Sequence, residues 1–271
     1  MPEAVIVAAA RTPIGRAFKG SLKDLRPDDL AAFIIKAALE KVPQLDPEDI
    51  DDLMLGCGLP GGEQGFNMAR VVAVLLGYDH LPGVTLTRYC SSSLQTTRMA
   101  FHAIKAGEGD VFISAGVEMV SRYVNGNSDS LPDTMNPAFA SAQARTVKTA
   151  EGGAESWPDP RQDGAVPDIY IAMGQTAENL ALLKGISRAE MDQFGVRSQN
   201  LAEKALANGF WAREITPVSL PDNSPTVNDE IHAPMGGVRD SGWGRTGPDS
   251  LADFTDVIWI NTTSSERQFP F

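Results

Sequence analysis

The sequence predicts a layered α/β fold, in which helices cover both faces of a sheet. Apolar runs of strand length alternate three times with segments of helical periodicity between residues 4 and 116. The first run, AVIVAAA at residues 4–10, is apolar on both faces, as is typical of strands buried between two helix layers. At 271 residues and 42% hydrophobic content, the chain can bury one large core or two modest ones.

The predicted elements follow one another in a regular order. Residues 4–10 predict the first strand, and a helix follows at 28–39 with Asp28 and Asp29 in its first turn, where carboxylates favour the positive end of the helix dipole. The remaining elements of this part are strands at 50–57, 84–89 and 110–116 and helices at 67–76 and 91–105. This alternation predicts α/β layers around a mixed sheet.

Residues 123–168 interrupt the order, because they are polar and punctuated by Pro and Gly. So long an irregular stretch inside a domain is typical of a binding loop or lid, and a disordered insertion is the alternative. Two further helices are predicted, at 176–184 and 188–207. Ser187 and Glu190 have the spacing of a capping box that begins the second of them.

Cys90 is the first candidate for chemistry, because it lies where the strand at 84–89 ends and the next helix begins. A thiol at such a point meets free backbone N–H groups and the positive end of the helix dipole, which favour its nucleophilic thiolate form. The position alone is also compatible with a small core residue. Cys57 lies inside an apolar strand and is predicted to be a core residue.

No histidine is positioned by its place in the sequence to activate Cys90. His102 follows it by twelve residues on the same predicted helix. That separation is about 18 Å along the axis, so we expect a packing or interface residue. His80 lies in a loop and is expected to be exposed, and His232 belongs to the C-terminal tail. No spacing of cysteine and histidine resembles a zinc site.

Five motifs stand in a fixed order along residues 1–222: AAARTPIG at 8–15, RYCSSSLQ at 88–95, SAGVEMVS at 114–121, MGQTAEN at 173–179 and RSQ at 197–199. In this order and spacing they resemble the N-terminal half of the thiolase family. One departure is Thr87, at a position that the family often fills with Asn. The resemblance implies a thiolase-like layered α/β/α core at 1–122, with a loop domain and returning helices at 123–222.

The same resemblance implies a thiolase-type acyl-CoA acetyltransferase. Cys90 matches the family's nucleophile, which attacks an acyl-CoA thioester to form an acyl-enzyme that then condenses with acetyl-CoA, and thiolysis is the reverse. Met173 matches a methionine that lines the acyl pocket, with a plain core methionine as the alternative. Ala172 stands where many short-chain members carry a histidine, which weakens a short-chain assignment.

The partners implied are acyl-CoA or acetyl-CoA as substrates, with no cofactor besides the CoA thioester, and a homo-oligomer if the family's dimer face is intact. The net charge of −12 argues against a nucleic-acid partner, whereas a local basic patch can still bind an anionic CoA ester. Neither a membrane span nor a signal peptide is predicted. With two cysteines, we expect a cytoplasmic protein without disulfides.

Three motifs of the thiolase family do not occur in this sequence. They are Gly-His-Pro, whose histidine activates the nucleophile, a Cys-Gly-Gly-Gly-like motif, whose cysteine acts as acid and base, and the oxyanion motif Asn-Glu-Ala-Phe. Loss of such a base or oxyanion donor lowers rates by about 10²–10⁴-fold each. We therefore expect the chain to be incomplete as an enzyme, and the alternative is a non-catalytic truncated or fused fragment that retains partial acyl-CoA binding.

The tail at about 223–271 carries a second resemblance. SPTVNDE at 224–230, APMGGVRDSGWGR at 233–245 and FTDVIWI at 254–260 are similar to the C-terminal end of an aldehyde dehydrogenase. The switch between the two resemblances falls near 221–224. A redox enzyme based on this tail is a third hypothesis, which is disfavoured because that family's nucleotide-binding domain, catalytic cysteine and general-base glutamate do not occur in the sequence.

Overall fold

The computed structural model describes residues 3–125, 132–152 and 156–220. Its strands are β1 (Asp52–Gly56), β2 (Gly83–Leu86) and β3 (Phe112–Gly116), and its helices are α1 (Pro27–Leu39), α2 (Met68–Leu75), α3 (Ser92–Ala106), α4 (Ala140–Gly152), α5 (Met173–Lys184), α6 (Arg188–Ala207) and α7 (Phe210–Glu214). The described residues form two compact units, one of residues 3–125 with 211–220 and one of 132–152 with 156–210.

The sheet of the first unit is parallel, with β1 in the centre of the order β2-β1-β3. Leu53 pairs with Gly83 on one side and with Ile113 on the other. A helix between successive strands carries the chain back to the end of the sheet at which the previous strand began. The next strand therefore runs in the same direction. The predicted mixed sheet is therefore not observed among the described strands.

Side chains of β1 alternate between two layers, because successive residues of a strand point to opposite faces. Leu53, Leu55 and Cys57 are at most 1% exposed and pack with residues of α1 and α2. The partners in this cluster include Ala31, Ile35, Met68, Ala69, Val72 and Ala73. The paired residues of β3 on the same face, Ile113 and Ala115, pack against this cluster.

Helix α3 lies against the other face, where it approaches the ends of two strands closely. A Cβ atom at Gly116 would lie 1.9 Å from Ser93 Oγ, so a larger residue there would require the Ser93 side chain to move. Ser114 Oγ hydrogen-bonds Thr96 Oγ1 at 2.8 Å and Thr97 Oγ1 at 2.9 Å. These contacts hold the first turns of α3 over the carboxyl end of the sheet, and the three-layered α/β/α prediction is confirmed.

The first predicted strand is not formed. No described strand pairs with residues 4–10, and Val5, Ile6 and Val7 are 69%, 81% and 73% exposed. A parallel bridge joins the next residue, Arg11, to Ile215. The prediction of a buried strand was wrong because an apolar run forms a strand only where a neighbouring strand takes its N–H and C=O groups.

The other predicted strands and helices are confirmed, with shifts of a few residues at their ends. Strand β2 ends at Leu86 rather than at residue 89, because Tyr89–Ser91 form a 3₁₀ turn. The capping box of α6 is confirmed, since the Ser187 hydroxyl accepts from Glu190 N and the Glu190 carboxylate accepts from Ser187 N.

Helix α4 lies inside the stretch 123–168, which the sequence predicted to be irregular, and that prediction was wrong for Ala140–Gly152. The local sequence ASAQARTVKTAEG is rich in alanine and other good helix formers. The prediction of an irregular stretch rested on the Pro and Gly residues on either side of this segment and gave too little weight to the helix formers within it. Helix α7 was not predicted either. Among the described helices, none is both long and apolar enough to cross a membrane.

Candidate active site

Cys90 lies in the 3₁₀ turn Tyr89–Ser91, which leads directly into α3, and its side chain is exposed. The turn follows β2 at the carboxyl end of the parallel sheet. The N-cap residue of α3, Ser91, makes no side-chain capping bond. Its hydroxyl donates instead to Arg88 O at 3.0 Å, so the Ser91 side chain does not take a first-turn N–H group of α3. The predicted position at a helix start is the one observed.

The backbone beside Cys90 is fixed by hydroxyl groups. The Thr87 hydroxyl donates to Gly58 O at 2.8 Å and accepts from Tyr89 N at 3.2 Å. The Ser92 hydroxyl accepts from Arg88 N at 2.8 Å and donates to Tyr89 O at 2.6 Å. These bonds hold the residues on either side of Cys90 in place.

Tyr89 has a backbone φ of 49°, in the left-handed region that disfavours a residue with a Cβ atom. Such a conformation costs about 1–3 kcal/mol and persists only where the surrounding contacts impose it. Tyr89 directly precedes Cys90, so the strain lies beside the candidate nucleophile.

Cys57 is the second cysteine, and it is 1% exposed at the end of β1. Burial, followed by the negative charge of Glu118, raises the pKa of the Cys57 thiol to about 12. Its Sγ also donates to Glu118 Oε1 at 3.7 Å. A buried thiol of this kind is unreactive, and the prediction of a core residue is confirmed.

Glu118 and Tyr123 are polar residues at this end of the sheet for which the sequence suggested no role. Burial raises the pKa of the Tyr123 phenol, and its hydrogen bond to the Glu118 carboxylate and the negative charge of that carboxylate act in the same direction. The phenol therefore stays protonated next to both cysteines. A signal did exist, because an acidic residue just past the end of a predicted parallel strand faces the edge where such folds bind ligands.

Met173 is the first residue of α5, in the second unit, and its side chain is 73% exposed. The alternative of a plain core methionine is therefore wrong. The Thr176 hydroxyl donates to Met173 O at 2.6 Å. Cys90 belongs to the first unit and Met173 to the second, and the role of Met173 in an acyl pocket stays a prediction.

Two of the three histidines lie within the described residues, and no hydrogen bond joins either of them to Cys90. His80 is exposed, as predicted, with its Nδ1 at 3.2 Å from Glu48 Oε1. His102 is also exposed, and its ring centroid lies 5.6 Å from that of Phe101. In the part of the chain that the structure describes, no group of three or more His, Cys, Asp or Glu residues could hold a metal ion.

The predicted tail at 223–271, including His232, lies outside the described residues. Its resemblance to an aldehyde dehydrogenase and the domain boundaries at 122 and 222 stay predictions.

Comparison with known proteins identifies the relatives of this chain. Residues 4–235 match the family described as "Thiolase, N-terminal domain". A 3-ketoacyl-CoA thiolase of Bacillus subtilis (strain 168) is 39% identical over 236 residues, which are 87% of this chain and 53% of that protein. A beta-ketoadipyl-CoA thiolase of Pseudomonas knackmussii is 42% identical over 80% of this chain and 52% of that protein.

A solved structure is similar to this chain as well. The crystal structure of the Bacillus anthracis acetyl-CoA acetyltransferase is similar with a TM-score of 0.60 and 29% sequence identity, over 82% of this chain and 52% of that one. The chain thus spans about half the length of the relatives it matches.

Proposed function

The chain belongs to the thiolase family, and from this premise we propose that it performs thiolase-type acyl transfer, with Cys90 as the residue that receives the acyl group. The observation that carries the proposal is the exposed Cys90 thiol in the turn that leads into α3. The names of the relatives favour 3-oxoacyl-CoA esters as the substrate class.

In the proposed step, the Cys90 thiolate attacks the carbonyl carbon of an acyl-CoA thioester. A new carbon–sulfur bond forms, the bond to the CoA sulfur breaks, and CoA leaves as a thiolate, so the products are an acyl-enzyme and free CoA. Cys90 lies in the turn that directly precedes α3, so the backbone N–H groups at the start of that helix are close to it in the chain. Tyr123, which stays protonated, and Glu118 provide the polar surroundings of this turn.

Acylation of Cys90 can be tested with acetyl-CoA and intact mass spectrometry. We expect one acetyl group on the wild-type chain, assigned to Cys90 by peptide sequencing, and none on Cys90→Ala. Cys57→Ala is the matched control, because it removes the buried thiol and keeps Cys90, so one acetyl group should still be found on Cys90. A wild-type chain that gains no acetyl group on Cys90 would refute the proposal.

Turnover is a separate question, because the activating histidine motif and the second cysteine motif do not occur in the sequence. We expect thiolysis of acetoacetyl-CoA by this chain to be slower, by about 10²-fold or more, than by a thiolase that carries both motifs. The alternative, a chain that binds acyl-CoA without transfer, predicts that the wild type binds acetyl-CoA in calorimetry yet is never acetylated.

Two finer assignments belong to the same proposal. Met173 lines the acyl pocket, so Met173→Ala should change the preference among acyl chains of different length while leaving alkylation of Cys90 unchanged. The chain forms a homo-oligomer, which sedimentation velocity would test.

A further inference from the structure

The Glu118 carboxylate connects the residues that follow two strands of the first unit. Its Oε2 accepts from Gly58 N, and its Oε1 accepts from Leu59 N at 3.3 Å and from Gln64 Nε2 at 3.1 Å. Gly58 and Leu59 follow β1, and Glu118 itself follows β3. Both carboxylate oxygens are therefore in use, each by at least one N–H donor.

Gln64 makes this arrangement rigid. It is 3% exposed, its Nε2 also donates to Leu59 O at 2.9 Å, and its Oε1 accepts from Met119 N at 2.7 Å. Gln64 thus bridges the backbone on both sides, and Glu118 has little freedom to move away from the Gly58–Leu59 turn.

A second link connects this turn to the nucleophile. Gly58 O accepts from the Thr87 hydroxyl, and that hydroxyl accepts from Tyr89 N. A continuous path of hydrogen bonds and one peptide unit therefore runs from Glu118 through Gly58 and Thr87 to the residue before Cys90. It ends on Tyr89, whose left-handed backbone requires such support.

We propose that Glu118 is a positioning residue, whose carboxylate fixes the Gly58–Leu59 turn and thereby holds the Tyr89–Cys90 backbone in place for attack. This role rests on the proposed acyl transfer at Cys90. Glu118 acts through Gly58 and Thr87, and it does not itself contact the substrate. A carboxylate is needed because it accepts on both oxygens, whereas an amide has only one oxygen and would turn its NH₂ donor towards the remaining N–H group.

The first experiment measures amide hydrogen exchange in the peptide that contains residues 87–91. Glu118→Gln should accelerate exchange of the Tyr89–Ser91 amides by about tenfold or more, because loss of charged hydrogen bonds lowers the cost of opening the turn. Exchange in this peptide at the wild-type rate would overturn the proposal.

Asp51→Asn is the matched control. The Asp51 carboxylate also accepts from two backbone amides, Asp110 N at 2.7 Å and Val111 N at 3.0 Å, but it lies at the opposite, amino end of the same sheet. Both bonds go to one oxygen, which an asparagine can supply. Exchange at residues 89–91 should change less than about twofold in this variant, and an acceleration equal to that of Glu118→Gln would show general destabilisation and overturn the proposal.

Thr87→Val tests the second link and covers the case in which Glu118→Gln does not fold. It removes the hydroxyl that joins Gly58 O to Tyr89 N and keeps the shape of the side chain. Faster exchange at Tyr89–Ser91 supports the path, and unchanged exchange overturns it.

A kinetic arm distinguishes this role from the acyl transfer on which it rests. Glu118→Gln should lower the maximal rate of Cys90 acetylation by acetyl-CoA by about tenfold or more, with less than about a twofold change in the half-saturating acetyl-CoA concentration. Equal maximal rates in the variant and the wild type would overturn the positioning role. A wild type that is never acetylated, combined with faster exchange in Glu118→Gln, would refute the acyl transfer and leave the positioning of the turn supported.

Discussion

A Cβ atom on Gly56 would lie 2.6 Å from the carbonyl carbon of Ser92, and real Cβ atoms essentially never come so close to another heavy atom. The last residue of β1 therefore touches the backbone of the first residue of α3 with no side chain between them. Because Cys90 lies two residues before Ser92, this contact sets the distance between the turn that holds Cys90 and the sheet.

Gly56→Ala should push α3 away from β1 and destabilise the first unit by about 1–3 kcal/mol, the usual cost of overpacking a close contact. Urea unfolding measures this loss. Gly195→Ala is the control, since Gly195 lies inside α6 and a Cβ atom there meets nothing within 4 Å. That change should stabilise by about 0.5–1 kcal/mol, because alanine is the better helix former. A Gly56→Ala chain as stable as the wild type would contradict the packing described.

The two cysteines should react at very different rates with iodoacetamide. Cys90 is exposed, whereas Cys57 is buried with its pKa raised to about 12 by burial and the neighbouring Glu118 charge. At about pH 8 the thiolate is then roughly 10⁻⁴ of the Cys57 population. Mass spectrometry of the native chain should show alkylation of Cys90 alone, and of both cysteines in urea. Alkylation of Cys57 at a rate similar to that of Cys90 in the folded chain would contradict this description.

Asp52 should make the chain less stable as the pH rises. Its Oδ1 is buried, no donor reaches that atom, and desolvation raises the pKa of the carboxyl group. The native state therefore holds this proton more tightly than the unfolded state, so stability falls from about pH 4 upward until the folded-state pKa is passed. Asp52→Asn cannot ionise, and its urea midpoint should gain on the wild type between about pH 3 and pH 7. An advantage that is the same at both pH values would exclude this cause.

Ser187→Ala should destabilise α6 by about 0.5–2 kcal/mol, the usual cost of losing an N-cap side chain. The Glu190 pKa is lowered by the Ser187 backbone N–H and then by the Ser187 hydroxyl. A lowered pKa contributes stability above the unfolded value of about 4.3, and this contribution is lost as the pH falls below it. The difference between Ser187→Ala and the wild type in thermal unfolding should therefore shrink in acid. If the loss of stability in Ser187→Ala does not vary with pH, the bond between the Ser187 hydroxyl and the Glu190 carboxylate does not contribute to stability.

The sequence predicted those elements whose signals lie within the elements themselves. The cap at Ser187 fixed the start of α6, and the change from apolar to small polar residues around Cys90 located the strand-to-helix junction. The prediction of a strand at 4–10 was wrong because the composition of this segment shows only a preference for burial. Strand formation also depends on a partner strand, which composition does not identify. The helix at 140–152 was not predicted, because the strong turn signals outside it were given more weight than the moderate helical signal within it.

The candidate site was predicted in part. Cys90 stood out because its chemistry depends on the residues next to it in the chain. Glu118 and Gln64 did not, because their importance comes from hydrogen bonds to residues 54 to 60 positions away or to turns that only the folded sheet brings together. Nothing in a single sequence indicates that the acid after one strand supports the turn after another.

The central position of β1 has a consequence for synthesis of the chain. Its leucines, Leu53 and Leu55, are fully buried only when β3 pairs beside them, and β3 ends 60 residues after β1. At about 5–20 residues per second, a growing chain needs roughly 3–12 s to make that segment. During this time the apolar centre of the sheet is without one of its neighbours. In a hairpin the two paired strands follow one another directly, so parallel pairing leaves this apolar strand without its neighbour for longer during translation.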